Sequence, residues 1–202
     1  MNNLNMSYNY RLDDFLEIYK HGQRVFLYTL ILLQKLNLTD EVVSKISTAA
    51  QEHDAGKLLC PPEIINKKGL LTPSEYEIIK RHSYLSAKIY ADNCVGPVDM
   101  VIWNSIMHHH ENYDGSGYPS GLKGEHIPLG SRVIRISDTF DALTQERCYK
   151  EALSPLEALA IMKKSHSCYD KNLFNIFENN FEDFMSRHND INVEISKIMN
   201  YN

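Results

Sequence analysis

Histidines and aspartates suited to metal binding recur along most of the chain. The clearest local signal is His53-Asp54, inside the segment HDAGK. A neutral imidazole and a carboxylate are good ligands for iron, manganese or zinc, and a carboxylate has two oxygens that can bridge two ions. A lone His-Asp pair is also typical of a helix cap or a surface pair, so its meaning depends on the residues that accompany it.

Further candidate ligands fall on separate predicted helices. Glu17 and His21 are four residues apart, so they share one face of the first helix. The remaining candidates are His82, His109, His110 and Asp138. Taken alone, each has a structural explanation, such as a surface helix pair, a hydrogen-bonded core histidine or half of a buried salt bridge. Buried polar side chains are costly without partners, and a metal cluster satisfies many of them at once, so the set as a whole favours a metal centre.

The elements that must position these residues are predicted to be helices. Apolar residues recur at helical spacing, and no convincing run alternates as a strand does. Thr72 and Ser154 each begin a helix, because a proline follows and a glutamate lies three residues on. The predicted helices span Asp13 to about Leu36, Asp40 to His53, Thr72 to about Asn93, Val98 to Glu111, Ser131 to Thr144, and one or more beyond Ser154. The prediction is one all-α domain over residues 1–202, with a motif-bearing core at about 13–150 and C-terminal helices at 151–202.

Composition limits the function classes. An apolar share of 43% and a charged share of 23% are ordinary for a soluble globular protein, and the net charge of −5 gives no global positive field for a nucleic-acid polymer. The four cysteines form no CxxC pair, which is typical of reduced thiols in the cytoplasm. The apolar stretch Val25–Leu33 is far shorter than the roughly 20 residues of a membrane span. We therefore expect a cytoplasmic protein without a membrane span.

The candidate residues lie in segments that resemble HD-GYP domains, a branch of the HD phosphohydrolase superfamily. A single HD pair is weak evidence, whereas HHE followed by a glycine-rich segment, IPL and DTFDAL is very specific. The resemblance covers nearly the whole chain and implies a single HD-type helical domain, with a metal centre between helices and a glycine-rich GYP loop. The matching segments are HGQRV, HDAGK, KRH, HHE, DGSGYPSGLKG, IPL, SDTFDAL and RCYK.

The same resemblance implies two or three divalent metal ions. Asp54 matches the bridging carboxylate, and Glu17 matches a glutamate that supports a third ion in some members of the family. Nitrogen and oxygen ligation without a thiolate suits iron or manganese, and the family favours iron, with manganese as the substitute. The metal ligands carried over from the family are Glu17, His21, His53, Asp54, His82, His109, His110 and Asp138.

The implied reaction is hydrolysis of the 3′–5′ phosphodiester of cyclic di-GMP by a hydroxide held between two metal ions. The product is either linear pGpG or, after a second cleavage, GMP. Asp54 and Lys57 are the expected catalytic residues. Lys57, Arg147 and Lys150 are expected to bind substrate phosphates, because cationic side chains suit phosphate oxygens. Tyr118 either packs against a guanine base or fixes the loop to the protein.

Two residues are expected to orient the metal ligands or the loop without binding metal themselves. Separately, three histidines match no family position. Glu111 and Asp141 are predicted to orient ligands or the loop. The unmatched histidines, interpreted as ordinary polar residues, are His126, His166 and His188.

Other functions stay open at this point. One is an HD-type hydrolase for a mixed guanine–adenine ring, a linear dinucleotide or a mononucleotide. Another is a signalling module that binds a dinucleotide or a protein without catalysis. A homodimer and a separate regulatory protein are both open as partners.

Overall fold

A computed structural model describes residues 12–146 and 151–199, and this part of the chain contains helices and no strands. A 3₁₀ turn, Ala55–Leu59, joins the second helix to the third. The α-helices are, in chain order, α1 (Leu12–Leu33), α2 (Asp40–Glu52), α3 (Pro62–Ile65), α4 (Pro73–Lys80), α5 (His82–Asn93), α6 (Met100–Met107), α7 (Leu129–Thr144), α8 (Pro155–Lys164), α9 (Lys171–Asn179) and α10 (Phe181–Met199). The all-α prediction is confirmed.

Three predicted helix starts, at Asp40, Thr72 and Ser154, are confirmed by their hydrogen bonds. Thr39 caps α2 by accepting from the backbone N–H of Val42. Thr72 and Ser154 each form a capping box with the glutamate three residues on, and a proline occupies the first turn of both helices. These caps satisfy backbone donors that a helix leaves free at its start.

The prediction of one helix from Thr72 to Asn93 is wrong, because α4 ends at Lys80 and α5 begins at His82. Side chains take backbone acceptors at this break. His82 Nδ1 lies 2.6 Å from the carbonyl oxygen of Ile79, and the Ser83 hydroxyl donates to the carbonyl oxygen of Lys80. Such side-chain bonds compete with the helical pattern. Similarly, α6 stops at Met107, and the three following histidines lie in a turn.

The core is built around α1, which packs against α2, α7 and α10. The Tyr28 ring meets the Phe140 ring edge-on, with centroids 5.1 Å apart. Phe177 of α9 and Phe184 of α10 are fully buried in the same cluster. Aromatic burial therefore fixes the C-terminal helices on the helix that carries His21. Within residues 12–146 and 151–199, no helix combines the length and the apolar character that crossing a bilayer requires.

His188 was expected to be an ordinary polar residue, but it is buried on α10. Its Nδ1 lies 2.7 Å from the hydroxyl oxygen of Tyr28 on α1. Burial lowers the pKa of His188, which keeps the imidazole neutral. This polar contact fixes α10 against α1 at a defined position along both helices.

Candidate metal centre

Four histidines direct their Nε2 atoms toward one region, because their Nδ1 atoms are held from behind. Each Nδ1 lies 2.6–2.7 Å from an oxygen acceptor. A hydrogen bond of this kind fixes the tautomer and leaves a lone pair on Nε2. The pairs are His21 with the Asp141 carboxylate, His53 with the Ala50 carbonyl, His82 with the Ile79 carbonyl and His109 with the Ile106 carbonyl.

The 3₁₀ turn after His53-Asp54 lies against α5 because residue 56 has no side chain. A Cβ atom on Gly56 would lie 2.3 Å from the carbonyl oxygen of His82 and 2.4 Å from the backbone nitrogen of Ser86. The Gly56 N–H donates to the Ser86 hydroxyl over 2.7 Å. This close approach brings the HD pair next to His82.

Asp54 stands between two groups of ligands. Its Oδ2 lies 3.2 Å from His21 Nε2 and 3.6 Å from His53 Nε2. Its Oδ1 lies 3.2 Å from His82 Nε2 and 3.9 Å from His109 Nε2. Each carboxylate oxygen therefore faces a different pair of imidazoles, as a bridging ligand must.

The donor atoms form two clusters. The first cluster is His21, His53 and Asp138, and the second cluster is His82, His109 and His110 with Asp54. Within each cluster the ligand atoms all lie within 4.8 Å of one another. Seven sequence-predicted ligands thus converge from α1, the turn after α2, α5, the turn after α6, and α7.

The unsatisfied polar atoms of the centre fit divalent cations. His21 Nε2, His53 Nε2 and Asp54 Oδ1 are buried and form no hydrogen bond with a described residue. The Nε2 atom of His82 lies 3.3 Å from that of His109 and 3.1 Å from that of His110. Lone pairs that face one another repel. A bound cation would remove this repulsion and would give the unpartnered nitrogen and oxygen atoms a ligand bond.

Electrostatics support the same interpretation. Burial, followed by the neighbouring histidines, holds the pKa values of His109 and His110 well below their usual range, so both imidazoles are neutral. Burial would raise the pKa of Asp138, but the adjacent imidazoles of His21 and His53 outweigh it and hold that pKa well below its usual range. The centre therefore combines neutral nitrogens with ionised oxygens, the form in which both bind metals.

His21 sits among three carboxylates. Burial would lower its pKa, but the adjacent carboxylates of Asp138, Asp141 and Asp54 raise it to about 10. These acids create a place for positive charge beside the imidazole, which either a proton or a metal ion at Nε2 can fill.

Lys57 lies one turn beyond Asp54, as the sequence predicts, and its ammonium donates to Asp54 Oδ2. Burial would raise the pKa of Asp54, but the charge of Lys57 and the adjacent histidines hold it well below its usual range. The Lys57 side chain is 19% exposed and lines a cavity that opens onto the centre. It therefore contacts both the central carboxylate and the space where a substrate would lie.

Asp141 and Arg24 support His21 from behind. The Asp141 carboxylate accepts from Arg24 Nε over 2.7 Å and Nη2 over 3.2 Å, in addition to its contact with His21. The orienting position expected for Asp141 is observed. Arg24 had no predicted role, and the signal that could have found it is its place one helical turn after His21.

The glycine-rich loop is held by Glu111 and by close backbone packing. The Glu111 carboxylate accepts from the backbone N–H groups of Ser120 (2.7 Å) and Leu122 (3.1 Å). Gly115 has φ of +87°, and a Cβ atom on Gly117 would lie 2.2 Å from the backbone nitrogen of Asn112. Glycine is required at both positions, one for its backbone conformation and one for space.

Tyr118 is fixed against a metal-ligand candidate. Its ring stacks on His110, with centroids 4.7 Å apart and planes 28° apart, and its N–H donates to the His110 carbonyl. Burial raises the pKa of the Tyr118 phenol. The ring thus fixes the loop to the protein, and packing against a base stays a prediction.

Among the predicted metal ligands, Glu17 is not brought into either cluster. Glu17 is exposed, pairs with Lys20 over 2.8 Å and lines the wall of the cavity. Arg147 and Lys150 lie outside the described residues. The substrate-binding predictions for those two cations and the metal-binding prediction for Glu17 stay predictions.

The cavity that opens onto the centre has a volume of about 640 Å³ and reaches His21 and Asp54. This volume falls in the range of small-molecule sites. Lys20, Arg24 and Lys57 line its described walls together with three acidic side chains, one of them that of Asp54. The cavity therefore offers side chains of both charges to a ligand that extends away from the two clusters.

A helical fold with His and Asp ligands gathered around an HD pair defines a class of metal-binding domain. The HD domain family model matches residues 13–173. The chain therefore belongs to the HD domain family, as the sequence predicts.

Several curated proteins are similar to this chain. A cyclic di-GMP phosphodiesterase of Pseudomonas aeruginosa is 34% identical over 79% of this chain and 38% of its own length. A cyclic di-GMP phosphodiesterase of Thermotoga maritima is 36% identical over 76% of this chain and 40% of its own length. The 3'3'-cGAMP-specific phosphodiesterase 1 of Vibrio cholerae is 37% identical over 82% of this chain and 38% of its own length. The chain spans about two fifths of the length of these relatives.

Two solved structures share the fold. A cyclic GMP-AMP-specific phosphodiesterase of Vibrio cholerae, V-cGAP3, has a TM-score of 0.67 at 20% identity, over 92% of this chain and 50% of that chain. Bd1817 of Bdellovibrio bacteriovorus, an HD-GYP-type protein, has a TM-score of 0.66 at 21% identity, over 82% of this chain and 52% of that chain. At these identities the likeness concerns the helical fold.

Proposed function

We propose that this chain is a metal-dependent phosphodiesterase that hydrolyses the 3′–5′ phosphodiester of cyclic di-GMP to linear pGpG and onward to GMP. The observation that carries the proposal is Asp54, whose two oxygens face separate sets of imidazoles beside a cavity that Lys57 lines. Similarity to proteins named cyclic di-GMP phosphodiesterases supports the choice of substrate.

The first cluster would hold one divalent ion and the second cluster another, with Asp54 shared between them. When bound, two such ions stabilise charge on the phosphoryl oxygens and lower the pKa of water. Iron is the proposed metal, with manganese as its substitute. A third ion would draw on Glu17.

The protein groups have distinct proposed roles. Lys57 binds a phosphate of the substrate from the cavity wall, where its ammonium already lies beside Asp54. Asp141 holds the His21 imidazole with Nε2 turned toward the first cluster. Glu111 keeps the glycine-rich loop in place, and Tyr118 covers His110. These contacts fix the ligands before substrate arrives, and so lower the cost of ordering the site during the reaction.

The test is product analysis with defined metal. Protein loaded anaerobically with ferrous iron or manganese is expected to convert cyclic di-GMP to pGpG and then GMP, separated by chromatography. A mononucleotide phosphate ester, run in parallel, is expected to stay intact. If the wild type and an Asp54→Ala variant are equally inert with every metal, the non-catalytic binding module replaces this proposal.

A mixed guanine–adenine ring is the second candidate substrate. The relatives named 3'3'-cGAMP-specific phosphodiesterases are 34–37% identical, as similar as several of those named for cyclic di-GMP. Running both rings at equal concentration and comparing kcat/KM decides between them.

Arg147→Ala is expected to raise KM for cyclic di-GMP by roughly 10-fold, because a charge-assisted hydrogen bond to a phosphate contributes about 1.5 kcal/mol. Metal content should stay at the wild-type value, measured by elemental analysis. Arg187→Ala, an exposed arginine of α10, is the matched control. Loss of metal from the Arg147 variant would contradict a role in substrate binding.

A cytoplasmic location is part of the proposal, because the cysteines among the described residues, Cys60, Cys94 and Cys168, are free thiols. A nucleic-acid polymer is not a proposed partner. Regulation by a homodimer or by a separate protein stays a prediction.

A further inference from the structure

The C-terminal helix α10 forms part of the wall of the cavity that opens onto the metal centre. The family match ends at residue 173, eight residues before α10 begins at Phe181. Even so, Asn192 and Ile195 of α10 line the same cavity as His21 and Asp54. A segment beyond the family match therefore shapes the space that a substrate would fill.

We infer that α10 supplies a specificity-determining residue, Asn192, whose carboxamide contacts a base of the cyclic dinucleotide together with that of Gln145. The inference rests on the proposed function and adds to it the means by which the bases are recognised. It assigns the metal clusters and Lys57 to the phosphates, and the α10 side of the cavity to the bases.

Contacts with α1, the helix that carries His21, position Asn192. Its Nδ2 lies 3.4 Å from His188 Nε2, and His188 Nδ1 lies 2.7 Å from the Tyr28 hydroxyl of α1. A neutral His188 can accept from the carboxamide at Nε2 and donate to Tyr28 at Nδ1. Because Tyr28 and His21 are two turns apart on α1, this chain of contacts sets Asn192 at a fixed position relative to the centre.

The second carboxamide comes from the end of α7. Gln145 lines the cavity, and its Nε2 is buried without a hydrogen bond to any described residue. A buried donor without a partner costs free energy, which a ligand with an exposed acceptor would recover. This orphaned donor is independent of α10 and lies in the wall of the same cavity.

The chemistry of this part of the cavity matches a purine. Carboxamides pair a donor with an acceptor, as base edges do, and they form paired hydrogen bonds to bases. Three isoleucines, Ile18, Ile65 and Ile195, line the same cavity and offer apolar surface to a base face. Carboxamides can also donate to a phosphate, but the apolar walls disfavour a charged phosphate and suit the flat face of a nucleobase.

The test compares a substrate with bases to one without. Asn192→Ala and Gln145→Ala are each expected to raise KM for cyclic di-GMP by roughly 5- to 20-fold with kcat changed less than about 2-fold, because paired contacts to a base edge carry that much discrimination. Hydrolysis of bis(p-nitrophenyl) phosphate, a diester without bases, should be unchanged. The Kd of a phosphorothioate analogue of the ring, which resists hydrolysis, should rise by the same factor as KM.

Asn189→Ala is the matched control, because Asn189 is an exposed asparagine on the same helix. Thermal melts verify folding, and Asn192→Ser replaces the alanine variant if that variant unfolds. An Asn192 variant with wild-type KM for the ring overturns the inference, and so does an equal loss on both substrates, which indicates a structural role. If the wild type cleaves the base-free diester and neither ring, the proposed function itself fails, and the inference fails with it.

Discussion

Asp54→Ala is expected to lower kcat/KM for cyclic di-GMP by roughly 10³-fold or more, since metal ions contribute several kcal/mol to such reactions. The physical reason is the shared position of Asp54, whose Oδ1 faces His82 and whose Oδ2 faces His21. Removing one side chain takes a ligand from both clusters at once. Metal content, measured by elemental analysis after anaerobic loading, should fall together with activity.

A matched control for this variant is Asp92→Ala. The Asp92 side chain is 62% exposed and pairs with Lys88 on the surface of α5, so its loss should leave metal content and activity unchanged. Asp54→Asn keeps the shape of the side chain and loses the charge, and should show an intermediate metal content. Full metal content and full activity in Asp54→Ala would exclude a bridging role.

The helical periodicity of the sequence predicts most of the fold, since local caps and apolar spacing act over a few residues. The exceptions lie at the site. The helix expected through Arg81 breaks where His82 takes the Ile79 carbonyl, and α6 stops at Met107, just before the turn that holds His109. At both places a candidate metal-ligand histidine contacts a backbone carbonyl three residues back, and helix propensity does not predict such a bond.

The candidate ligands follow from residue type and family motif, but their orientation does not. Whether His21 presents Nε2 depends on Asp141, which is 120 residues away in sequence. Glu17 shares a helix face with His21, yet spacing alone does not reveal that its carboxylate pairs with Lys20 and is exposed. A shared face thus limits where a side chain can point without fixing what it contacts.

The role of α10 depends on contacts between distant parts of the chain. The sequence predicts amphipathic helices after Ser154, but the contact that seats α10 joins Tyr28 and His188 across 160 residues. Packing of this kind depends on the whole folded core, so a periodic pattern in one helix does not indicate which cavity that helix will line.

Asp141→Asn is expected to weaken metal binding by roughly 10- to 100-fold, the usual effect of removing a partner behind a ligand. The amide keeps the shape of the carboxylate but no longer offers a charged acceptor to His21 Nδ1. It also leaves the guanidinium of Arg24, which is 7% exposed, without its buried counter-charge. Breaking a buried pair in this way should reduce the free energy of unfolding by about 3–5 kcal/mol, measured by denaturant titration of the metal-free protein.

Combining Asp141→Asn with Arg24→Met separates these two effects. The double variant no longer buries an uncompensated charge, so it should recover much of the lost unfolding free energy. Its metal affinity should stay low, because His21 still lacks a charged partner at Nδ1. If metal affinity recovers in step with stability, Asp141 acts through the integrity of the fold alone. Recovery of stability without recovery of metal affinity establishes that the Asp141 carboxylate acts on the His21 imidazole itself.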